Sequence, residues 1–209
     1  MNRRELTGLL VATGLAPAAW AQGATPVEGK DYTRVNPPQP TQSPGKVEVL
    51  EFFSYACPHC FSFEPVLEGW VKKQPAFVVF RRVPVPFLYN AENFQRTYYA
   101  LESLGLVDAV HRKLFTAVHV EKARLDKPEE IAAIVAKNGG DATKFLATFK
   151  SFSVATAASR AKKLNADYKM DGVPNLAIQG QYLTSPSQAG SAERSLEVAD
   201  WLIAKVKSK

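Results

Sequence analysis

The chain has 209 residues and only two cysteines, Cys57 and Cys60, separated by Pro58 and His59. Two thiols this close on a first helical turn can close into a disulfide with little backbone movement. Pro58 marks the helix start, because proline is favoured at the first helical position. That places Cys57 at the helix N-terminus, where free N–H groups and the helix dipole favour a negative charge. A thiolate held there is a good leaving group when its disulfide is attacked, and it stabilises the dithiol form. Both effects push the pair towards giving its disulfide away. His59 adds a positive charge or a hydrogen bond on the same turn, and Pro58 fixes the turn and withholds a donor. Two other uses of the pair compete with this one. A structural bridge closing so small a loop removes little chain entropy. A shared metal site would need His111 and His119, whose spacing does not bring them to Cys60; both read as helix-surface or core-edge residues. Two cysteines exclude a four-cysteine zinc or iron–sulfur centre within one chain.

The elements that position the pair follow from the pattern around it. Val47 to Phe53 is a β-branched and aromatic run that suits a central strand. The helix from Cys57-Pro58 is predicted to reach about Lys73, bent at Pro65. Phe77 to Val83 reads as a second strand, stopped by Pro84 and Pro86. From Ala91 to about Lys169 only helical periods recur: Phe94, Tyr98, Leu101 and Leu104, then Val110, Leu114 and Val118, then Ile131, Ile134 and Val135. Asp126 with Glu129 looks like a helix start and Asn138-Gly139-Gly140 like a stop. Strands resume at Asn175 to Ile178 and Tyr182-Leu183 around a Gln179-Gly180 turn, and a last amphipathic helix covers about Ala192 to Val206. The fold class is therefore α/β, one unit split by a block of helices. The expected parts are 22–90, a helical insertion at 91–155, and 156–209, with 22–46 a proline-rich extended arm.

Arg3 and Arg4, the apolar run Leu6 to Ala19, and Ala19-Trp20-Ala21 form a tripartite secretory signal pattern, so 1–21 is expected to be cleaved. No later stretch approaches 18 apolar residues, and the mature protein is expected to be exported and soluble. Removing Arg3, Arg4 and Glu5 takes the net charge from +6 to +5, with no basic block longer than two, so no nucleic-acid partner is indicated. At 46% hydrophobic residues, with 12 Phe, 7 Tyr and 3 Trp, a packed core is expected. No G-x-G-x-x-G follows a strand, so no flavin or nicotinamide cofactor is indicated.

Glu48 to Cys60, EVLEFFSYACPHC, together with Gly172-Val173-Pro174 and the terminal helix, resembles the DsbA family of thiol:disulfide interchange proteins. The resemblance runs from about Lys30 to Val206. It implies a thioredoxin-like domain interrupted by an inserted α-helical domain, with Cys57 the exchanging cysteine and Cys60 its buried partner. It also implies that Pro174, preceded by Val173, is a cis-proline beside the disulfide. The residues alone show a tight turn before a strand, with a trans bond as the default. The implied activity is oxidation of reduced, unfolded secreted proteins in the periplasm, with turnover through the quinone-coupled membrane protein DsbB.

Glu51 lies mid-strand among apolar residues, where burial is costly unless the acid is paired or protonated. The family carries a buried acid there that serves the second cysteine, usually partnered by a lysine. This chain offers Arg81 or Arg82, and arginine favours a fixed ion pair over a shared proton. A solvent-facing position for Glu51 stays open. Phe61, Phe63, Phe87, Leu88 and Tyr89 are expected in the core, or some of them along a peptide groove. An isomerase or reductase of the same fold, a peptide-holding chaperone and a metal carrier remain alternatives. About 25 residues precede the first strand, too few for a dimerisation domain, so a monomer is expected.

Overall fold

The computed structural model describes residues 24–208. The expected signal segment, 1–21, lies outside them. The element order is β1 (Thr33–Arg34), β2 (Val47–Phe53), α1 (Pro58–Val71), β3 (Val78–Pro84), α2 (Ala91–Ser103), α3 (Val107–His119), α4 (Pro128–Lys137), α5 (Ala142–Phe149) and α6 (Phe152–Asp167). It closes with β4 (Asn175–Ile178), β5 (Tyr182–Thr184), α7 (Pro186–Ala189) and α8 (Ala192–Lys207).

The five strands form one sheet in the order β1-β5-β4-β2-β3. All seven residues of β2 are buried, because β3 lies parallel on one side, β4 antiparallel on the other, and helices cover both faces. Side chains alternate along a strand, so β2 serves two cores. Val47 and Val49 face Leu67 and Trp70 of α1 and the apolar stripe of α8, while Leu50 and Phe52 face Ala161 of α6 and Tyr168. Phe53 and Tyr55 lead into a third cluster, shared by both cysteines and the helices α2 to α5. The β2–α1–β3 crossover therefore delivers the end of β2 and the start of α1 to the seam between sheet and helical block.

Several boundaries differ from those predicted. The helix α1 stops at Val71, with Pro65 inside it. The capping residue of α4 is Lys127, one place later than expected: Pro128 takes the first turn, and Glu130 closes back on the Lys127 N–H at 3.1 Å. The helix α6 runs unbroken across positions 155 and 156, where the sequence pattern sets a boundary. The proline-rich arm is laid onto the sheet: β1 pairs with β5, the Val35 N–H reaches Gln181 O, and the Gln39 N–H reaches Gly180 O at 2.8 Å. Gly180 permits this contact. Its φ is +66, and a Cβ there would stand 1.9 Å from Gln39 O.

Candidate functional site

Cys57 is itself the N-cap of α1. Its backbone is extended (φ −89, ψ 116) and its Sγ accepts the Cys60 N–H at 3.2 Å, where a serine or aspartate oxygen usually stands. Pro58 follows in the first turn, where its missing N–H costs nothing. Both sulfurs are free thiols and both are buried, Cys57 at 6% exposure and Cys60 fully. Pro58 and His59 are exposed above them.

The two thiols differ sharply. A hydrogen bond from the Cys60 side chain brings the Cys57 pKa down to about 6, against burial and with help from the backbone N–H groups of Cys60 and His59 and the charge of His59. Burial pushes the Cys60 thiol up, and the neighbouring Cys57 adds to it. At neutral pH Cys57 is mostly thiolate and Cys60 is not.

The second wall of the site is the loop before β4. Val173-Pro174 is a cis peptide, and the Val173 carbonyl accepts the Cys57 S–H at 3.4 Å, a bond available only to the thiol form. Pro174 is buried, and Asn175 Nδ2 donates to Gly172 O at 2.9 Å, closing the loop on itself.

Glu51 is fully buried and has no solvent-facing role. The β2–β3 register settles which arginine it meets. Glu51 stands opposite Arg82 and Leu50 opposite Arg81, so the two arginines leave β3 on opposite faces. Arg82 Nε donates to Glu51 Oε2 at 2.9 Å, while Arg81 Nη2 reaches Glu48 on the far face at 3.0 Å. Arg82 is also shared: its Nη2 donates to Oε1 of Glu64, on α1, at 2.5 Å. Burial pushes the Glu51 pKa up to about 8, Arg82 opposes this, and the charge of Glu64 adds to it. Burial would raise Glu64 as well, but contact with His111 and the charges of Arg82 and Arg112 outweigh it and hold Glu64 low. One guanidinium thus neutralises one carboxylate, and Glu51 is the one that keeps a proton.

His111 is not the helix-surface or core-edge residue its sequence context suggests. It is 1% exposed, with Nδ1 2.8 Å from the Tyr55 hydroxyl and Nε2 3.4 Å from Glu64 Oε2. Burial lowers its pKa, so the ring is neutral at pH 7. His119 does sit at the core edge, stacked on Phe61 (5.1 Å between ring centroids) with Nε2 2.8 Å from Tyr55 O. Glu64 is a site residue outside the sequence-based expectations, and the signal for it is spacing: it lies four residues after Cys60 and so on the same helical face. Phe63 is core. Phe61 and Leu88 are partly covered against the cysteine cluster, but Phe87 and Tyr89 are exposed at 40% and 48%, because the turn ahead of α2 carries them outward.

A paired dithiol at a strand-to-helix junction, one sulfur activated by the helix end and walled by a cis-proline loop, defines the class: a thiol:disulfide oxidoreductase. Comparison with known proteins agrees. The DSBA-like thioredoxin domain family matches residues 48–194. The thiol:disulfide interchange protein DsbA of Burkholderia cepacia is 41% identical over 209 residues, covering 99% of each chain. That of Pseudomonas aeruginosa strain PAO1 is 39% identical over 207 residues, covering 98% of this chain and 97% of the relative. A crystal structure of Pseudomonas aeruginosa DsbA superposes with a TM-score of 0.84 at 40% identity, over 87% of this chain and 95% of the other. The Neisseria meningitidis oxidoreductase NmDsbA1 gives 0.78 at 30% identity, over 87% and 94%. The chain belongs to the DSBA-like thioredoxin family: its fold is a thioredoxin-like domain with an inserted helical block, and its activity is thiol:disulfide oxidoreduction of the DsbA type.

Proposed function

We propose that the protein oxidises reduced, unfolded exported proteins in the periplasm by donating the Cys57–Cys60 disulfide. A substrate thiolate attacks Cys57 Sγ, the S–S bond breaks, and Cys60 leaves with the electron pair. Burial favours the thiol at Cys60, so it takes a proton as it leaves; in this reading the donor is Glu51, protonated at neutral pH, with Oε1 unpartnered and close enough for its charge to act on Cys60. A second substrate thiolate then attacks the substrate sulfur of the mixed disulfide and expels Cys57 as a thiolate. The substrate loses two electrons and the dithiol enzyme holds them. His59 and the helix end stabilise that thiolate, Pro58 sets the first turn, and Val173 and Pro174 wall the sulfur so that attack comes from the exposed side.

The observation that carries this reading is the asymmetry of the pair. Cys57, the helix N-cap whose Sγ accepts the Cys60 N–H, is the sulfur that solvent reaches and so the one attacked first, whereas Cys60 is fully buried. The low pKa of Cys57 also makes it the better leaving sulfur when the mixed disulfide is resolved. Turnover then requires an external oxidant, and a membrane quinone-linked oxidase of the DsbB type is the proposed partner, with the protein acting as a monomer. No helix among the described residues is long and apolar enough to cross a membrane. The test is oxidation of a reduced, unfolded dithiol protein by the purified, oxidised enzyme. Cys57→Ser is expected to abolish it, and full activity in that variant would overturn the assignment.

A further inference from the structure

Three buried charged groups meet beneath the active-site helix: Glu51 on β2, Glu64 on α1 and Arg82 on β3. With one cation for two carboxylates, the cluster holds one negative charge and one proton at neutral pH. Geometry distinguishes the two acids. Glu51 has Arg82 on Oε2 and nothing on Oε1. Glu64 has Arg82 on Oε1, and His111 Nε2 lies 3.4 Å from its Oε2. His111 Nε2 and Glu64 Oε2 face each other at 3.4 Å, a contact too long and poorly aligned to count as a formed hydrogen bond, and neither atom has any other partner. The two sides of the ring together set its tautomer. Burial keeps the Tyr55 phenol protonated, and with a carboxylate oxygen facing Nε2 the tautomer that suits both sides has the Tyr55 hydroxyl donating to His111 Nδ1. The ring proton is then on Nε2, the atom facing Glu64.

We propose that His111 is a positioning residue for the redox pair: by presenting its Nε2 proton to Glu64, it holds the cluster's single negative charge on the helix carboxylate and away from Cys57 and Cys60. The inference rests on the reading of those two cysteines as the exchanging pair. The groups facing His111 are Tyr55, Glu64 and Glu68 on α1, Arg82 on β3 and Tyr98 on α2. Those facing Glu51 are Arg82, Glu64, Cys57, Cys60, Tyr55 and Tyr98. Both phenols are held above their ordinary range and stay neutral, and Glu68 lies 3.7 Å from Arg112. The charge that can relocate is therefore the one shared by Glu51 and Glu64. Without His111, Glu64 Oε2 loses the one N–H that faces it, the proton moves to Glu64, and the ionised carboxylate that Arg82 balances becomes Glu51. The cluster's net charge is unchanged, but the anion now stands beside the cysteines.

The test is a pH titration of the reduced protein, following thiolate absorbance of Cys57. His111→Leu removes the ring donor, and the nearly isosteric Glu64→Gln removes the competing charge and serves if His111→Leu does not fold. Each is expected to raise the Cys57 midpoint by about one pH unit, the low end of what a nearby charge does. In a Glu51→Gln background that rise is expected to vanish. His111→Gln, which offers an amide N–H to Glu64 and an amide oxygen to Tyr55, is expected to stay near wild type. Equal rises in both backgrounds, or no rise with Glu51 present, would overturn the proposal. If Cys57 titrates low in the wild type yet ignores positions 64 and 111, the exchange pair stands and the His111 assignment falls. If Cys57→Ser still oxidises substrate, it is the exchange pair that fails.

Discussion

The low pKa of Cys57 links redox state to folding stability through pH. A thiol whose pKa falls from its ordinary 9.0 to about 6 corresponds to ~4 kcal/mol at 1.36 kcal/mol per unit. Solvent reaches this helix end beside the exposed Pro58 and His59, so ~3 kcal/mol is the working figure after screening. The sign follows from linkage. A depressed folded pKa contributes stability that is complete above the unfolded value and is lost as pH falls through the folded one. Only the reduced protein has this thiolate, so the difference in unfolding free energy, reduced minus oxidised, is expected to grow from pH 6 to pH 8 by roughly 2–3 kcal/mol. Above pH 9 the raised pKa of Cys60 works in the opposite direction, so the window stops short of that. Near pH 8 the same preference for the reduced form makes the disulfide more oxidising by roughly 40–60 mV, at 30 mV per 1.4 kcal/mol for a two-electron couple. Paired urea unfolding of the oxidised and reduced proteins at pH 6, 7 and 8 measures the difference directly. A difference that stays flat with pH, or a Cys57 thiolate that forms only near pH 9, would refute the account.

Two further perturbations test the scaffold around the pair. Arg82→Met leaves Glu51 and Glu64 buried with no cation between them, and is expected to destabilise the fold by ~3–5 kcal/mol, read by urea denaturation near neutral pH. Gly180→Ala puts a Cβ onto the Gln39 carbonyl at a positive φ; it is expected to cost at least ~1 kcal/mol and to speed proteolysis within the 33–42 arm, while wild-type stability would show that the contact relaxes freely.

The central elements were legible because each carries its own short-range signal. The run Val47 to Phe53 is continuously apolar apart from its two acids, and it became the strand buried on every side. The Cys57-Pro58 start of α1 was visible from proline placement alone. What stayed hidden depends on partners far away in the chain. Nothing local in α3 says that His111 is buried; its place is settled by Glu64 and Tyr55, more than forty residues earlier. The choice between Arg81 and Arg82 needed the strand register, although strand parity then decides it without ambiguity. The strand β1 has two residues and α5 only eight, both too short for a periodic signal. Phe87 and Tyr89 show the converse, large aromatic side chains whose exposure is set by the turn that carries them.

Because the sulfur of Cys57 also serves as the cap of α1, the first turn of that helix is a reporter of electron content. A thiolate is a strong acceptor for the Cys60 N–H, whereas a sulfur tied into a disulfide is a poor one, so oxidation loosens the same turn that reduction ties down. Amide hydrogen exchange at Cys60 should therefore be slower in the reduced protein, with the protection confined to the opening turn. A client leaving the enzyme would then depart from a firmer surface than the one it met, and release would be assisted by the ordering of the helix end itself.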